Sequence, residues 1–567
     1  MRSVALGISA AIVCFSTTAL AADFYVDPVN GSAAGDGSSA KPWKSINEVI
    51  STGKVQTQGW DVVPHTSASK LVAKNASGVV KAGDTLWLRD GYHGSLDITS
   101  HYNTGLITVA AQAGHTPKLS KVLVRSSSNW KLVGLAISPD FAPTYAKATM
   151  VAIENHASQG PVSEITVESC VLRSKADVSA WTASEWDTLS ANAFQVAGDK
   201  ITIRGNDIKN VNFGISVTAK NSLIEKNVVD SFAGDGLRGL GDYTTFQYNT
   251  VKNCYDVNDN HDDGFQSWSV GSDGKVGTGQ VVGVTLRGNV IINYEDPNQK
   301  LRGPLQGIGM FDGTFVDWVI ENNVIITDHW HGITLLGAKN SRVVNNTVID
   351  PNTEKPGPPW IQIGAHKNGT APTGCLVRNN LTTDLNLAAA GVTEDHNIEL
   401  KDYAQFFVSA AKNDLHLIPT APAINQGSSD QAPKIDIEGI PRPQGSAVDV
   451  GAFEWHDGSV VPPDGGPGVG GSSSGGGGGV SGGGGVSGSG GGSAGGGAGS
   501  GGASSGGASS GGVSGGGGTK AAESDEDSGC GCQLPGRPGS SAALMALGLL
   551  ALARLRRRIR GSRHPKA

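Results

Sequence analysis

Phe213-Gly214-Ile215, Asp235-Gly236-Leu237, Asp263-Gly264-Phe265, Gln306-Gly307-Ile308 and His331-Gly332-Ile333 are five copies of one phrase: a variable residue, a glycine, an apolar residue. If each copy belongs to one strand of a coiled solenoid, the variable side chains stack on successive rungs about 4.8 Å apart. Asp235, Asp263, Gln306 and His331 then share one outward-facing line, which reads as a site and not as ordinary surface.

A second repeat, apolar-x-x-Asn-x-apolar, supports the solenoid independently. It runs through Ile203/Asn206/Ile208, Ile224/Asn227/Val229, Phe246/Asn249/Val251, Leu286/Asn289/Ile291, Ile320/Asn323/Ile325, Val343/Asn346/Val348 and Leu376/Asn379/Leu381. A period of roughly 20 to 40 residues that keeps strand chemistry and Asn in phase is the mark of stacked β coils. Inward apolar residues alternate with outward ones. A buried Asn at each turn can donate to one rung and accept from another, which offsets the cost of burying its amide. Cys170 and Leu135 hold the equivalent place in two earlier coils, so the ladder is expected to start before its first Asn.

Other segments bracket this core. Residues 1–21 combine an early arginine, an apolar run and the small-residue end Ala19-Leu20-Ala21, the pattern of a cleaved secretory signal. Residues 457–519 are almost wholly Gly and Ser with scattered Val and Ala, too poor in apolar surface to fold, and read as a flexible stalk. In 520–567 an acidic patch precedes Gly529-Cys530-Gly531-Cys532, an apolar run over 542–553, and Arg554, Arg556, Arg557, Arg558 and Arg560. That run is short for a membrane span, which needs about 20 residues. Cys170, Cys254 and Cys375 have neither disulfide nor metal spacing and are expected to pack as small buried residues. A net charge of −7 over 567 residues leaves no basic footprint, so nucleic acid is not an expected partner.

The folded part therefore spans 23–456, long enough for one large solenoid domain. It opens with the strand Phe24-Tyr25-Val26-Asp27, a turn cluster at Gly35-Asp36-Gly37, and a short helical stretch over 46–50 that can close the apolar end of the stack. Gly83-Asp84-Thr85-Leu86-Trp87-Leu88 then begins the coils, and Val448-Asp449-Val450-Gly451-Ala452-Phe453-Glu454 ends them. In these features the chain resembles the right-handed parallel β-helix proteins of the pectate lyase-like superfamily. The C-terminal Cys, apolar and Arg elements resemble the tripartite MYXO-CTERM sorting signal of myxobacteria. That resemblance implies processing near Cys530 or Cys532 and display on the outer cell surface. A tethered solenoid with capped ends need not assemble, and a monomer is the expected state.

The superfamily includes lyases, hydrolases, epimerases and adhesins, so fold alone assigns no activity. The chemistry must come from the variable column. Asp256, Asp259, His261, Asp262 and Asp263 make the most charged stretch, one coil beyond Asp235. Carboxylates gathered on adjacent rungs repel unless a cation or shared protons compensate them, and hard oxygen ligands on an exported protein favour Ca²⁺.

Asp235-Gly236-Leu237 and Asp262-Asp263-Gly264-Phe265 resemble the site phrases of the family 9 pectate lyases. The resemblance covers about 35 residues and implies that Asp235, Asp262 and Asp263 are calcium ligands. Gln266 stands where the family has a fourth Asp. The family's base is a lysine on the following coil, where this chain has Lys300 and Arg302.

The expectation is a cell-surface lyase that cleaves an acidic, uronate-containing polysaccharide by calcium-assisted β-elimination. Removal of the proton beside the carboxylate requires that the carboxylate be neutralised and a base be near. Lys300 is the expected base, since arginine stays protonated, and Arg238 or Arg302 would hold the sugar acid. His331 and Gln306 complete the column, with Trp268, Trp330 and Tyr243 as sugar platforms.

Two alternatives stay open. A polygalacturonase-like hydrolase would use Asp262, Asp263 and His331-Gly332, with carboxylates about 6.5–9.5 Å apart if it inverts. A non-catalytic glycan-binding wall would use Trp268, Trp330, Trp360 and Tyr243 for stacking.

Overall fold

The computed structural model describes residues 21–388 and 390–459. The expected leader, apart from Ala21, the stalk from 460 onward and the sorting signal lie outside the described residues. Among the described residues no helix is long and apolar enough to cross a membrane.

The chain visits three sheets in turn. Thr202–Arg204, Asp207–Val211 and Ile215–Val217 make one coil, and Leu223–Glu225 then returns to pair in parallel with Thr202–Arg204, setting Ile224 over Ile203. Repetition builds sheets of 13, 12 and 11 parallel strands among the described residues, and two antiparallel strands, Gln58–Trp60 and Leu71–Ala73, widen the first to 15. Crossovers between parallel strands of one sheet are right-handed. The fold is thus the expected right-handed parallel β-helix. We call the 12-stranded sheet, which holds Asp207–Val211, the ladder sheet, and the 11-stranded sheet, which holds Ile215–Val217, the site sheet.

Interior columns run the length of the stack. Ile203, Ile224, Phe246, Leu286, Ile320, Val343 and Val377 lie over one another and are almost completely buried. At the adjoining turn Asn206, Asn227, Asn249, Asn289, Asn323, Asn346, Asn380 and Asn397 form a continuous ladder. Each Nδ2 donates to the next Oδ1 at 2.8–3.0 Å. The residue before each is left-handed, with φ between 53° and 60°. That bend turns the chain out of one sheet and aims the amide inward.

The two earlier coils behave as expected. The Cys170 backbone N–H donates to Asn206 Oδ1 at 3.0 Å, and the Leu135 N–H donates to Cys170 Sγ at 3.4 Å. All three scattered cysteines are free and buried. The last coil corrects the reading by one residue. Val377, Asn380 and Thr382 occupy the repeat positions, while Asn379 is the left-handed residue and reaches the Ser428 carbonyl at 2.8 Å. A slip of one residue exchanges the faces of a strand, and two adjacent asparagines conceal it.

The N-terminal end is capped, and the C-terminal segment packs along a side of the stack. Ile46, Val49 and Ile50, from the helix Ile46–Ser51, are buried in the main core. Val450, Ala452 and Phe453 pack with Val290, Ile292, Val324 and Ile326, so the closing segment covers the outer face of the ladder sheet. This explains why the ladder strands Val290–Ile292 and Val324–Ile326 are apolar on both faces.

Candidate active site

The variable column and its glycines mark the corner where each coil turns into the site sheet. A Cβ on Gly236 would lie 2.3 Å from Val251 Cγ1, and one on Gly264 would lie 2.4 Å from Ile291 Cγ2. Any side chain there would overlap the ladder-sheet core, so glycine is required by close approach. The glycine and the next residue both face inward. The outward positions are therefore the first and fourth of each phrase, and two columns stand side by side.

The first column contains Phe213, Asp235, Asp263, Gln306 and His331. The second contains Ser216, Arg238, Gln266, Gly309 and Thr334, in register across neighbouring strands. Within a rung the two columns bond. Arg238 Nε pairs with Asp235 Oδ2, Gln266 Nε2 donates to Asp263 Oδ2 at 3.0 Å, and His331 Nδ1 lies 2.9 Å from Thr334 Oγ1. Between rungs, the Asp263 backbone N–H donates to Asp235 Oδ1 at 3.0 Å. Gly309 again makes room, since a Cβ there would come within 2.2 Å of Asp263 Oδ1.

Charge is concentrated and enclosed. Asp235 and Asp263 are 1% and 0% exposed. The Arg238 guanidinium lies 3.8 Å from the Phe213 ring centroid and 5.3 Å from that of Trp268, held between two aromatic faces. Its Nη atoms donate to no acceptor among the described residues, where its one hydrogen bond leaves from Nε. Burial pushes the Asp263 carboxyl upward and nearby Asp235 adds to the rise, while His261 and Arg238 oppose it. Its Oδ1 and the Gln306 Oε1 are buried and have no partner among the described residues.

Histidines and aromatic rings continue the site. His261 Nδ1 lies 3.0 Å from Asp263 Oδ2. His331 packs between Phe311 and Trp360, with centroids at 4.8 and 5.5 Å, and stacks on His329. Burial, with His331 and His261 close by, lowers His329 to about 3, so it is neutral. Trp330 and Trp360 lie nearly parallel, 14° apart with centroids at 6.2 Å, and Trp330 is 38% exposed.

The expected site residues divide. Asp235, Asp263, Gln266, Gln306, Arg238 and His331 come together. Asp262 does not join Asp263, because its carboxylate accepts from Asn260 Nδ2 at 2.9 Å and from Cys254 Sγ at 3.4 Å. Neighbours on an extended chain point to opposite faces. Burial raises Asp262 to about 8. Among the described residues no three His, Cys, Asp or Glu side chains stand together as a metal site. Asp235 is engaged by Arg238, and Gln266 turns its NH₂ group toward Asp263.

Lys300 and Arg302 lie elsewhere. Lys300 lines a hollow of about 520 Å³ with Trp181, Tyr255 and Lys209, against the ladder sheet. Arg302 is bound to Glu354 and the Pro297 carbonyl, both at 2.7 Å, and covers the Tyr294 ring. Trp268 is buried beneath Arg238 as packing, and Tyr243 is exposed on a turn with its ring against Gly283. The site residues missed from sequence are His329, Phe311 and Thr334, while His261 was named only within the charged stretch and given no role. Thr334 had a readable signal, the fourth position of the phrase, and His261 sits two residues before Asp263.

A family model described as a right-handed β-helix region matches residues 192–382, the stretch that carries both columns. No curated protein matches the chain. Among solved structures it is similar to pectate lyase Pel9A, with 13% identity, covering 77% of this chain and 97% of that one, TM-score 0.40. A mannuronic acid specific polysaccharide family 6 lyase from human gut microbiota shares 12% identity over 68% of this chain and 92% of its own, TM-score 0.36. The GH136 lacto-N-biosidase from Eubacterium ramulus shares 12% over 67% and 68%, TM-score 0.33.

Proposed function

We propose that the protein is an exported polysaccharide lyase that cleaves an acidic, uronate-containing glycan on the site sheet. The observation that carries this reading is the state of Arg238. Its Nε is fixed by Asp235, its flat faces are held by Phe213 and Trp268, and both Nη groups are without an acceptor among the described residues. A guanidinium fixed in this way suits bidentate capture of a planar carboxylate.

β-Elimination then proceeds from three groups. Arg238 neutralises the uronate carboxylate and stabilises the negative charge that develops on it. His261, oriented through Nδ1 by Asp263, takes the proton from the carbon bearing the carboxylate. The electron pair of that C–H bond becomes the new double bond, the glycosidic C–O bond on the next carbon breaks, and His331 supplies the proton that the departing oxygen takes. The exposed Trp330 ring, stacked on Trp360, offers a face for a neighbouring sugar.

The test is ultraviolet absorbance of unsaturated uronate ends, using the purified protein on polygalacturonate and on alginate. A rise that Arg238→Ala abolishes supports the reading. New reducing ends without absorbance would assign a hydrolase, and binding without either product would assign a glycan-binding wall.

A further inference from the structure

We infer that the Arg238 guanidinium occupies the place of a metal ion in this column, so that the site carries its own cation and does not take calcium. The inference rests on the reading above only in treating the column as the working site. Two buried carboxylates, Asp235 and Asp263, stand one rung apart and are joined through the Asp263 N–H at 3.0 Å. Such a pair requires compensating positive charge or a shared proton.

The compensation is already present. The Arg238 side chain is 9% exposed, pairs with a wholly buried Asp235 carboxylate, and is enclosed by Phe213 at 3.8 Å and Trp268 at 5.3 Å. Calcium requires six to eight oxygen ligands. Here Asp262 is held by Asn260 and Cys254, and Gln266 gives its NH₂ to Asp263, so two of the four expected ligand residues are engaged elsewhere. A dication placed beside Asp235 would also meet the arginine's charge.

Removing the guanidinium should open the place it fills. Arg238→Ser leaves Asp235 and Asp263 uncompensated, with added space between Phe213 and Trp268. The variant should become a calcium binder while the native protein is not.

The experiment is calorimetric titration of calcium into the full-length protein without glycan, to about 1 mM, the range of weak extracellular sites, with melting temperature measured alongside. The native protein should give no saturable heat, or only heat that survives Asp263→Asn. Folded Arg238→Ser should melt several degrees higher with calcium than with chelator. Saturable heat in the native protein that Asp263→Asn abolishes would overturn the inference, as would a folded Arg238→Ser indifferent to calcium. If that variant does not fold, the native titration decides alone. Because no glycan is present, a failed lyase assay and a failed calcium result stay distinct.

Discussion

Two polar columns climb this solenoid, and they behave in opposite ways. The ladder from Asn206 to Asn397 repeats one residue, and every amide is matched to the next at 2.8–3.0 Å. The column from Phe213 to His331 runs Phe, Asp, Asp, Gln, His and encloses charge. It also leaves Asp263 Oδ1 and Gln306 Oε1 without partners among the described residues. Uniform repetition satisfies itself and holds the coils in register. Broken repetition places unlike groups side by side with unspent hydrogen-bonding capacity, which is what catalysis requires.

The comparison can be broken most severely at Arg238. Arg238→Ala should lower kcat/KM on an acidic glycan by about 10²–10³-fold, the usual cost of losing a charge-stabilising donor, in a steady-state assay. His261→Ala should follow at roughly 10²-fold, the lower range for a general base, mainly in kcat. Asn249→Ala should do the reverse. It strips acceptors and donors from both neighbouring rungs and should cost about 3 kcal/mol of stability, read by denaturant unfolding, with near-native activity in the folded fraction.

Asp262 sharpens the contrast through pH. Its folded pKa, raised to about 8 from an ordinary value near 3.8, means that the folded protein holds the extra proton. Stability therefore falls as pH rises between those two values. Asp262→Asn should remove that fall, stabilising the protein by on the order of 2 kcal/mol at pH 8 and hardly at pH 4, as melting curves at the two pH values would report. The smallest effects belong at the periphery. Trp330→Ala should raise KM by about tenfold at most, the worth of one aromatic contact, and Lys300→Ala, on the other hollow, should leave kcat/KM unchanged.

Both columns were legible in the sequence because each recurs in phase with the coil. The glycine after each variable residue was legible as a repeat, though its reason, the overlap with Val251 and Ile291, lies in contacts between sheets. The Asn379–Asn380 pair defeated the phase by a single residue. Lys300 and Arg302 were misplaced for a different reason. They belong to the insertion 293–305 between a ladder strand and a site strand, and counting residues does not reveal toward which sheet an insertion folds. Asp262 fell to the corner geometry, because adjacency in sequence means opposition on an extended chain. His261 was named in the charged stretch but given no role, because that role comes from one side-chain contact with Asp263 and from no repeat.

The most direct measurement is a crystal structure of the Arg238-intact, His261→Ala protein soaked with a short uronate oligosaccharide. The account predicts a sugar carboxylate on the Arg238 Nη atoms and a neighbouring ring against Trp330 and Trp360. An oligosaccharide seated instead in the hollow of Lys300, Trp181 and Tyr255, with the columns bare, would contradict it.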